Sequence, residues 1–306
     1  MKKFLYFLGV FLSAYLTTLV ATRFLWDTAC HKTIVRNAVM PDAHTIVVGA
    51  SNGECSWDDS ILVGSQNLSL AGRSYLSNLT TLRYVFDYND HNVVDTVIVC
   101  SGFPSFFYYT DNVLNRIDRL ISDETSSILS QKEFFEIHKG YSEYWKLILT
   151  RTPLLTSTKR PFGEFVHYDR DKLGDPRVWD VLNRQLNLVG GKDGLTESYI
   201  RKNCRIQVYG LKKIKEFCDD HHLVMVLYHA PLYRIPEYVN DKGYKDYLLS
   251  EFGDSLLISD YSHFRFPDTT YYSDLEHINY KGALMLSNQI KRNGLRLQYS
   301  IDYCKQ

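Results

Sequence analysis

Apolar residues along this chain alternate between short unbroken runs and longer stretches in which they recur every third or fourth position. Unbroken runs suit strands buried on both faces, whereas a 3.6-residue period suits helices lying against a sheet. The runs and their flanking turn residues predict strands over residues 45–48, 67–70, 93–100, 223–228 and 256–259. Periodicity predicts helices over residues 74–84, 197–219, 244–252 and 279–293. Thr196 is the expected cap of the second helix, whose apolar face would carry Ile200, Cys204, Leu211, Ile214 and Cys218. Gln207 interrupts that stripe, and Gly210 weakens the helix. Strands alternating with helices predict an α/β fold, a mostly parallel sheet in a three-layer sandwich. Residues 103–195 break the rhythm, with helical stretches at 111–129 and 131–149 and then a tract punctuated by Pro and Gly. They read as an insertion, either a wall of a substrate site or a structural cover for the sheet.

The N-terminus follows a different pattern. Lys2 and Lys3 precede a charge-free run from Phe4 to Thr22 that Arg23 closes. A helix over that run would rise about 28 Å, close to the hydrocarbon thickness of a bilayer. Residues 1–26 are therefore expected to form an uncleaved signal anchor, a single transmembrane helix, followed by a linker at 27–43 and one α/β domain at 44–306. The two lysines favour a cytoplasmic N-terminus, partly offset by Arg23, so the domain is expected outside the cytoplasm, periplasmic or at the cell surface. A cleaved signal peptide is the rival reading. Against it, Leu19 stands where a cleavage site wants a small residue.

Composition narrows the functional classes. Of 306 residues, 45% are hydrophobic, enough for a full core. Lys plus Arg and Asp plus Glu number 35 each, so no bulk field favours nucleic acid. The 23 tyrosines suit polar ligands such as sugars as well as cores. The six cysteines form no CxxC pair, and neither a P-loop nor a GxGxxG sequence occurs, so neither metal nor cofactor is expected. Cys204 and Cys218, about 21 Å apart along one predicted helix, lie too far apart to bond. Cys100 and Cys218 are read as small core residues, and a Cys30–Cys304 bridge stays open.

Two segments far apart in the chain carry the candidate chemistry. Thr45 to Glu54, Thr-Ile-Val-Val-Gly-Ala-Ser-Asn-Gly-Glu, is a buried strand running into a turn of small residues that presents Ser51. Ser273 to Ala283 offers Asp274 and His277 just ahead of a helix. A serine nucleophile, a histidine base and an acid that orients the base are what acyl transfer requires. The Asp-x-x-His spacing occurs three times, at Asp219–His222, Asp260–His263 and Asp274–His277. The last is preferred over His263 because Asn279, Gly282 and an amphipathic helix follow it. Ser51, Ser101 and His229 each follow a strand, so they are candidates to line one crevice at the carboxyl end of the sheet. His229 is a candidate substrate contact, with a structural role the stronger reading.

Gly49-Ala50-Ser51-Asn52-Gly53-Glu54 resembles the nucleophile block of the SGNH (GDSL-type) hydrolases, and Asp274 to Ala283 is similar to their closing Asp-x-x-His block. The resemblance spans about residues 45–292 and implies a flavodoxin-like, five-stranded sheet. It also implies that Ser51 is the nucleophile, His277 the base and Asp274 its partner, with oxyanion donors at the amides of Ser51 and Gly72. Two positions depart from the family. Ala50 replaces the usual aspartate, and Ser101-Gly102-Phe103-Pro104 lacks the asparagine expected after the 93–100 strand. Ser101 or the Gly102 amide would have to replace that oxyanion donor. The expectation is an esterase or O-acyltransferase acting on acylated, chiefly acetylated, envelope carbohydrate beside a membrane-bound O-acyltransferase. The absent asparagine keeps a non-catalytic carbohydrate-binding or scaffolding subunit open, and membrane proximity keeps lipid esters open as substrates.

Overall fold

The computed structural model describes residues 2–18, 21, 42–88, 93–102, 105–106, 111, 195–233, 242–273 and 277–304. Nearly all of the predicted insertion, most of the linker, Cys30 and Asp274 lie outside these residues. Residues 2–18 form helix α1, whose apolar side chains are exposed, Phe4, Phe7 and Phe11 by about two thirds. Among the described residues, no helix is long and apolar enough to cross a membrane.

The domain is α/β. Strands β1 (Thr45–Val48), β2 (Ser65–Asn67), β3 (Thr96–Ser101), β4 (Val224–His229), β5 (Leu257–Asp260) and β6 (Leu297–Tyr299) form one sheet in the order β2-β1-β3-β4-β5-β6. The first five are parallel, in the flavodoxin-like order. The sheet has six strands rather than the five expected, because β6 adds antiparallel to β5. With three residues and half-exposed ends at Leu297 and Tyr299, β6 has no apolar run to announce it. Strand β2 lies slightly earlier than residues 67–70. Its ladder nevertheless continues beyond the strand, through bonds from Leu68 N to the Val47 carbonyl and from Leu70 N to the Gly49 carbonyl.

Helices α2 (Ser51–Ser56), α3 (Tyr75–Tyr88), α4 (Glu197–Asn203), α5 (Arg205–Asp220), α6 (Lys242–Phe252), α7 (Tyr280–Asn293) and α8 (Ser300–Cys304) complete the described domain. Side chains alternate across the central strands. Ile46, Val48, Val97, Val99, Leu227 and Ile258 face a core shared with α3, α5 and α6. Val47, Ile98, Val226 and Tyr228 face a second core with Trp57 and the apolar stripe of α7, Ala283, Leu286 and Ile290. Both faces are therefore covered, which is why these strands read as unbroken apolar runs.

The single helix expected over 197–219 is two. It breaks at Cys204, whose backbone leaves helical geometry (φ −126°, ψ 36°) and whose thiol donates to the Phe106 carbonyl. The second helix restarts on Asp111, which accepts the Ile206 N–H at 2.9 Å and pairs with the Arg205 guanidinium at 3.0 Å. Cys204 and Cys218 carry free, buried thiols, and the Cys304 thiol donates to the Lys245 carbonyl.

The two residues that weaken the α5 pattern are explained by where that helix meets α3. The buried Gln207 side chain accepts the Tyr75 N–H at the start of α3 (2.9 Å) and donates to the Ser105 carbonyl. Gly210 lets the helices touch, since a Cβ there would lie 2.7 Å from Leu76 N. Gly210→Ala would gain up to about 1 kcal/mol of helix propensity. Overpacking against backbone costs about 1–3 kcal/mol, so the clash wins. The variant should unfold at lower urea concentration than the wild type, with an unchanged denaturant slope.

Candidate active site

The site lies at the carboxyl end of the parallel strands. Strand β1 ends at Val48, and the chain turns through Gly49 and Ala50 into the short helix α2, which begins at Ser51. Two glycines let this turn press against β3. A Cβ on Gly49 would lie 2.5 Å from Cys100 Cβ, and one on Gly53 would lie 2.5 Å from Ser69 Oγ and 2.7 Å from Cys100 Sγ. Asn67 fixes the far end of the helix. Its amide donates to the Gly53 carbonyl at 3.0 Å and the Trp57 carbonyl at 2.9 Å, while its oxygen accepts the Ser69 N–H. Sequence reasoning took Asn67 only as the start of a strand.

His277 approaches from the other end of the chain. It sits on a narrow loop closed by pairing of Tyr272 with Ile278 and by a bond from Ser273 N to the His277 carbonyl at 2.8 Å. Asn279 caps α7 by accepting the Lys281 and Gly282 N–H groups, and its own amide donates to the Thr270 carbonyl. Gly282 permits close contact, because a Cβ there would lie 2.5 Å from the Tyr271 carbonyl oxygen. A bond from Asp58 N to Ser287 Oγ, 3.1 Å, joins the end of α2 to α7.

The two half-buried side chains meet. Ser51 Oγ lies 2.7 Å from His277 Nε2, across 226 residues of sequence. At that distance an unprotonated ring nitrogen accepts from the serine hydroxyl. Gly72 occupies the turn after β2 in left-handed geometry (φ 83°), and the preceding Ala71 N–H donates to Glu54 Oε2 of α2 at 2.7 Å. Residue 274 lies outside the described residues.

Ser101 and His229 are not brought to this pair. Both point to the opposite face of the sheet, the one covered by α3 and α6. The buried Ser101 hydroxyl lies 2.5 Å from the Tyr75 hydroxyl and 3.1 Å from the Tyr244 hydroxyl, so it is not directed at the Ser51–His277 pair. His229, only 3% exposed, has Nε2 3.1 Å from the Tyr244 hydroxyl and Nδ1 3.7 Å from Asp260 Oδ1. The rival His263 is exposed on the loop after β5, and the partner of Asp260 is His229.

Burial pushes the Tyr75 phenol up to about 12, and the Ser101 hydroxyl offsets this only in part, so Tyr75 stays neutral. Burial would also raise the Asp260 carboxyl. Attraction to His229 and bonds from the Ser262 hydroxyl and amide outweigh that and hold it well below the ordinary carboxylate range.

The fold and the site together define a doubly wound α/β protein with a serine–histidine pair at the carboxyl edge of its sheet. No protein-family model matches the chain, and no curated protein matches it. A solved structure from Streptococcus pneumonia, assigned provisionally as a platelet activating factor, aligns over 93% of this chain and 98% of that one. Its TM-score is 0.38 and its identity 11%, too slight a likeness to argue from.

The Asp260 result predicts an acid-limb effect. A carboxyl held below its unfolded value contributes stability that is present above about pH 4 and is lost as pH falls through the depressed folded value. Asp260→Asn should therefore be less stable than wild type at neutral pH and show a shallower loss on acidification, read from thermal midpoints between pH 7 and pH 3.

Proposed function

We propose that this chain performs serine-dependent acyl transfer, as an esterase or O-acyltransferase on acylated carbohydrate of the cell envelope. The observation that carries this reading is the 2.7 Å approach of Ser51 Oγ to His277 Nε2. Ser51 Oγ would attack the ester carbonyl carbon while Nε2 takes its proton, with Asp274 orienting the imidazole. The amides of Ser51 and Gly72 would hold the oxygen that gains charge. Collapse breaks the bond to the leaving alkoxide, which recovers the proton from Nε2 and leaves an acyl ester on Ser51. Water or a sugar hydroxyl, deprotonated by His277, then attacks the acyl carbon, and the Oγ–acyl bond breaks as Ser51 takes the proton back from Nε2.

The anchor at residues 1–26 would keep the domain at the outer face of a membrane, beside envelope polysaccharide and a membrane-bound O-acyltransferase. The charge-free run after Lys2 and Lys3 supports that placement, and the exposed apolar side chains of α1 suit it. Deleting residues 1–26 should move the protein from the membrane fraction to the soluble fraction.

A second reading, a carbohydrate-binding or scaffolding subunit without turnover, is favoured by one observation. Ser101 faces away from the pair and does not replace the missing asparagine side chain. Losing one oxyanion donor typically costs ~100-fold or more in rate. A fluorophosphonate probe separates the readings. Ser51 should label, Ser51→Ala should not, and His277→Ala should lower kcat/KM for nitrophenyl acetate by about 1,000-fold or more. Absence of labelling in the wild type would sink the enzyme reading, and a preference for long acyl chains would move the substrate from glycan to lipid.

A further inference from the structure

Glu54 stands three residues beyond Ser51 on α2, so the two side chains share one face of the helix. Its half-buried carboxylate accepts the Ala71 N–H at 2.7 Å, binding the turn that contains Gly72 to the helix that carries Ser51. Among the described residues, the charged groups that act on Glu54 are His277, from the loop ahead of α7, and Arg73, from the turn after β2. The Arg73 guanidinium is itself bonded to the Thr81 hydroxyl. One carboxylate thus holds the turn expected to bind the oxyanion and shares a helix face with Ser51, whose Oγ meets His277 Nε2.

We propose that Glu54 is a positioning residue for the Ser51–His277 pair, fixing the Gly72 turn against α2 and stabilising the imidazolium that forms when His277 takes the serine proton. The inference rests on the reading of Ser51 and His277 as nucleophile and base. A carboxylate near a histidine favours the protonated ring, so removing its charge lets the ring lose its proton at lower pH. Burial raises the Glu54 carboxyl, and the Ala71 amide, His277 and Arg73 offset that only in part. Its help to His277 is therefore present once pH exceeds that raised value and fades below it.

Two substitutions divide the roles. Glu54→Gln keeps an oxygen to accept the Ala71 N–H but removes the charge, whereas Glu54→Ala removes both. In the full chain, NMR titration of the His277 ring should move to lower pH by about half a pH unit or more in E54Q. The acid limb of kcat/KM for nitrophenyl acetate should move the same way, and kcat should fall by about threefold to tenfold. E54A should lose about a further tenfold in kcat with little change in KM, because the tether to the Gly72 turn goes as well.

Wild-type labelling of Ser51 together with an E54Q enzyme of unshifted His277 titration and unchanged kcat overturns the role of Glu54 alone, leaving it a loop tether. Absence of wild-type labelling overturns the reading of the pair and the catalytic part of this inference with it. E54Q is close to isosteric, so its results stand even if E54A fails to fold.

Discussion

The geometry of the site depends on how closely the turn after β1 lies against β3. At Gly49 and Gly53 there is no room for a Cβ, because Cys100 and Ser69 already occupy that space. A side chain at either position would lift α2 off the sheet edge and carry Ser51 with it. Asn67 then holds the C-terminal carbonyls of the helix, and the Asp58–Ser287 bond ties it to α7. The 2.7 Å approach of Ser51 to His277 follows from this packing and from the narrow loop closed by Tyr272 and Ile278.

The sheet separates two polar systems at its carboxyl edge. On the α7 face lies the half-buried Ser51–His277 pair. On the other face Tyr75, Ser101, Tyr244, His229 and Asp260 form a buried chain of contacts that joins the ends of β3, β4 and β5 to α3 and α6. A buried polar group without partners is costly, and a connected set is rigid. That rigidity holds the strand ends from which the loops of the reactive face depart. Period-two alternation along β3 and β4 assigns Ser101 and His229 to the second system, although each directly ends a strand as a crevice residue would.

The pair places a serine hydroxyl against an imidazole, and the sequence after β3 lacks the asparagine usual in the family it resembles. Oxyanion stabilisation would then rest on backbone amides, whose placement depends on the turn at Gly72 and so on the Ala71–Glu54 bond. Backbone donors are fixed by the fold rather than by rotamer choice, so a site built on them is sensitive to loop position.

The chain by itself determined the elements whose signals are local. The apolar run at 45–48, the amphipathic stripe of α7 and the Thr196 cap of α4 were legible because strand burial, helix period and capping act within a few residues. Ser51 and His277 were legible because small residues and an Asp-x-x-His spacing surround them. Three things were not: the Gln207 contact to α3, the pairing of Asp260 with His229, and the position of Glu54 beside the Gly72 turn. Each joins segments distant in sequence or turns on which face of an element meets a neighbour. Nothing local distinguishes Glu54 or Gln207 from solvated helix residues. Only tertiary packing decided that, because the contacts concerned do not exist until α2, α3 and α5 dock on the sheet.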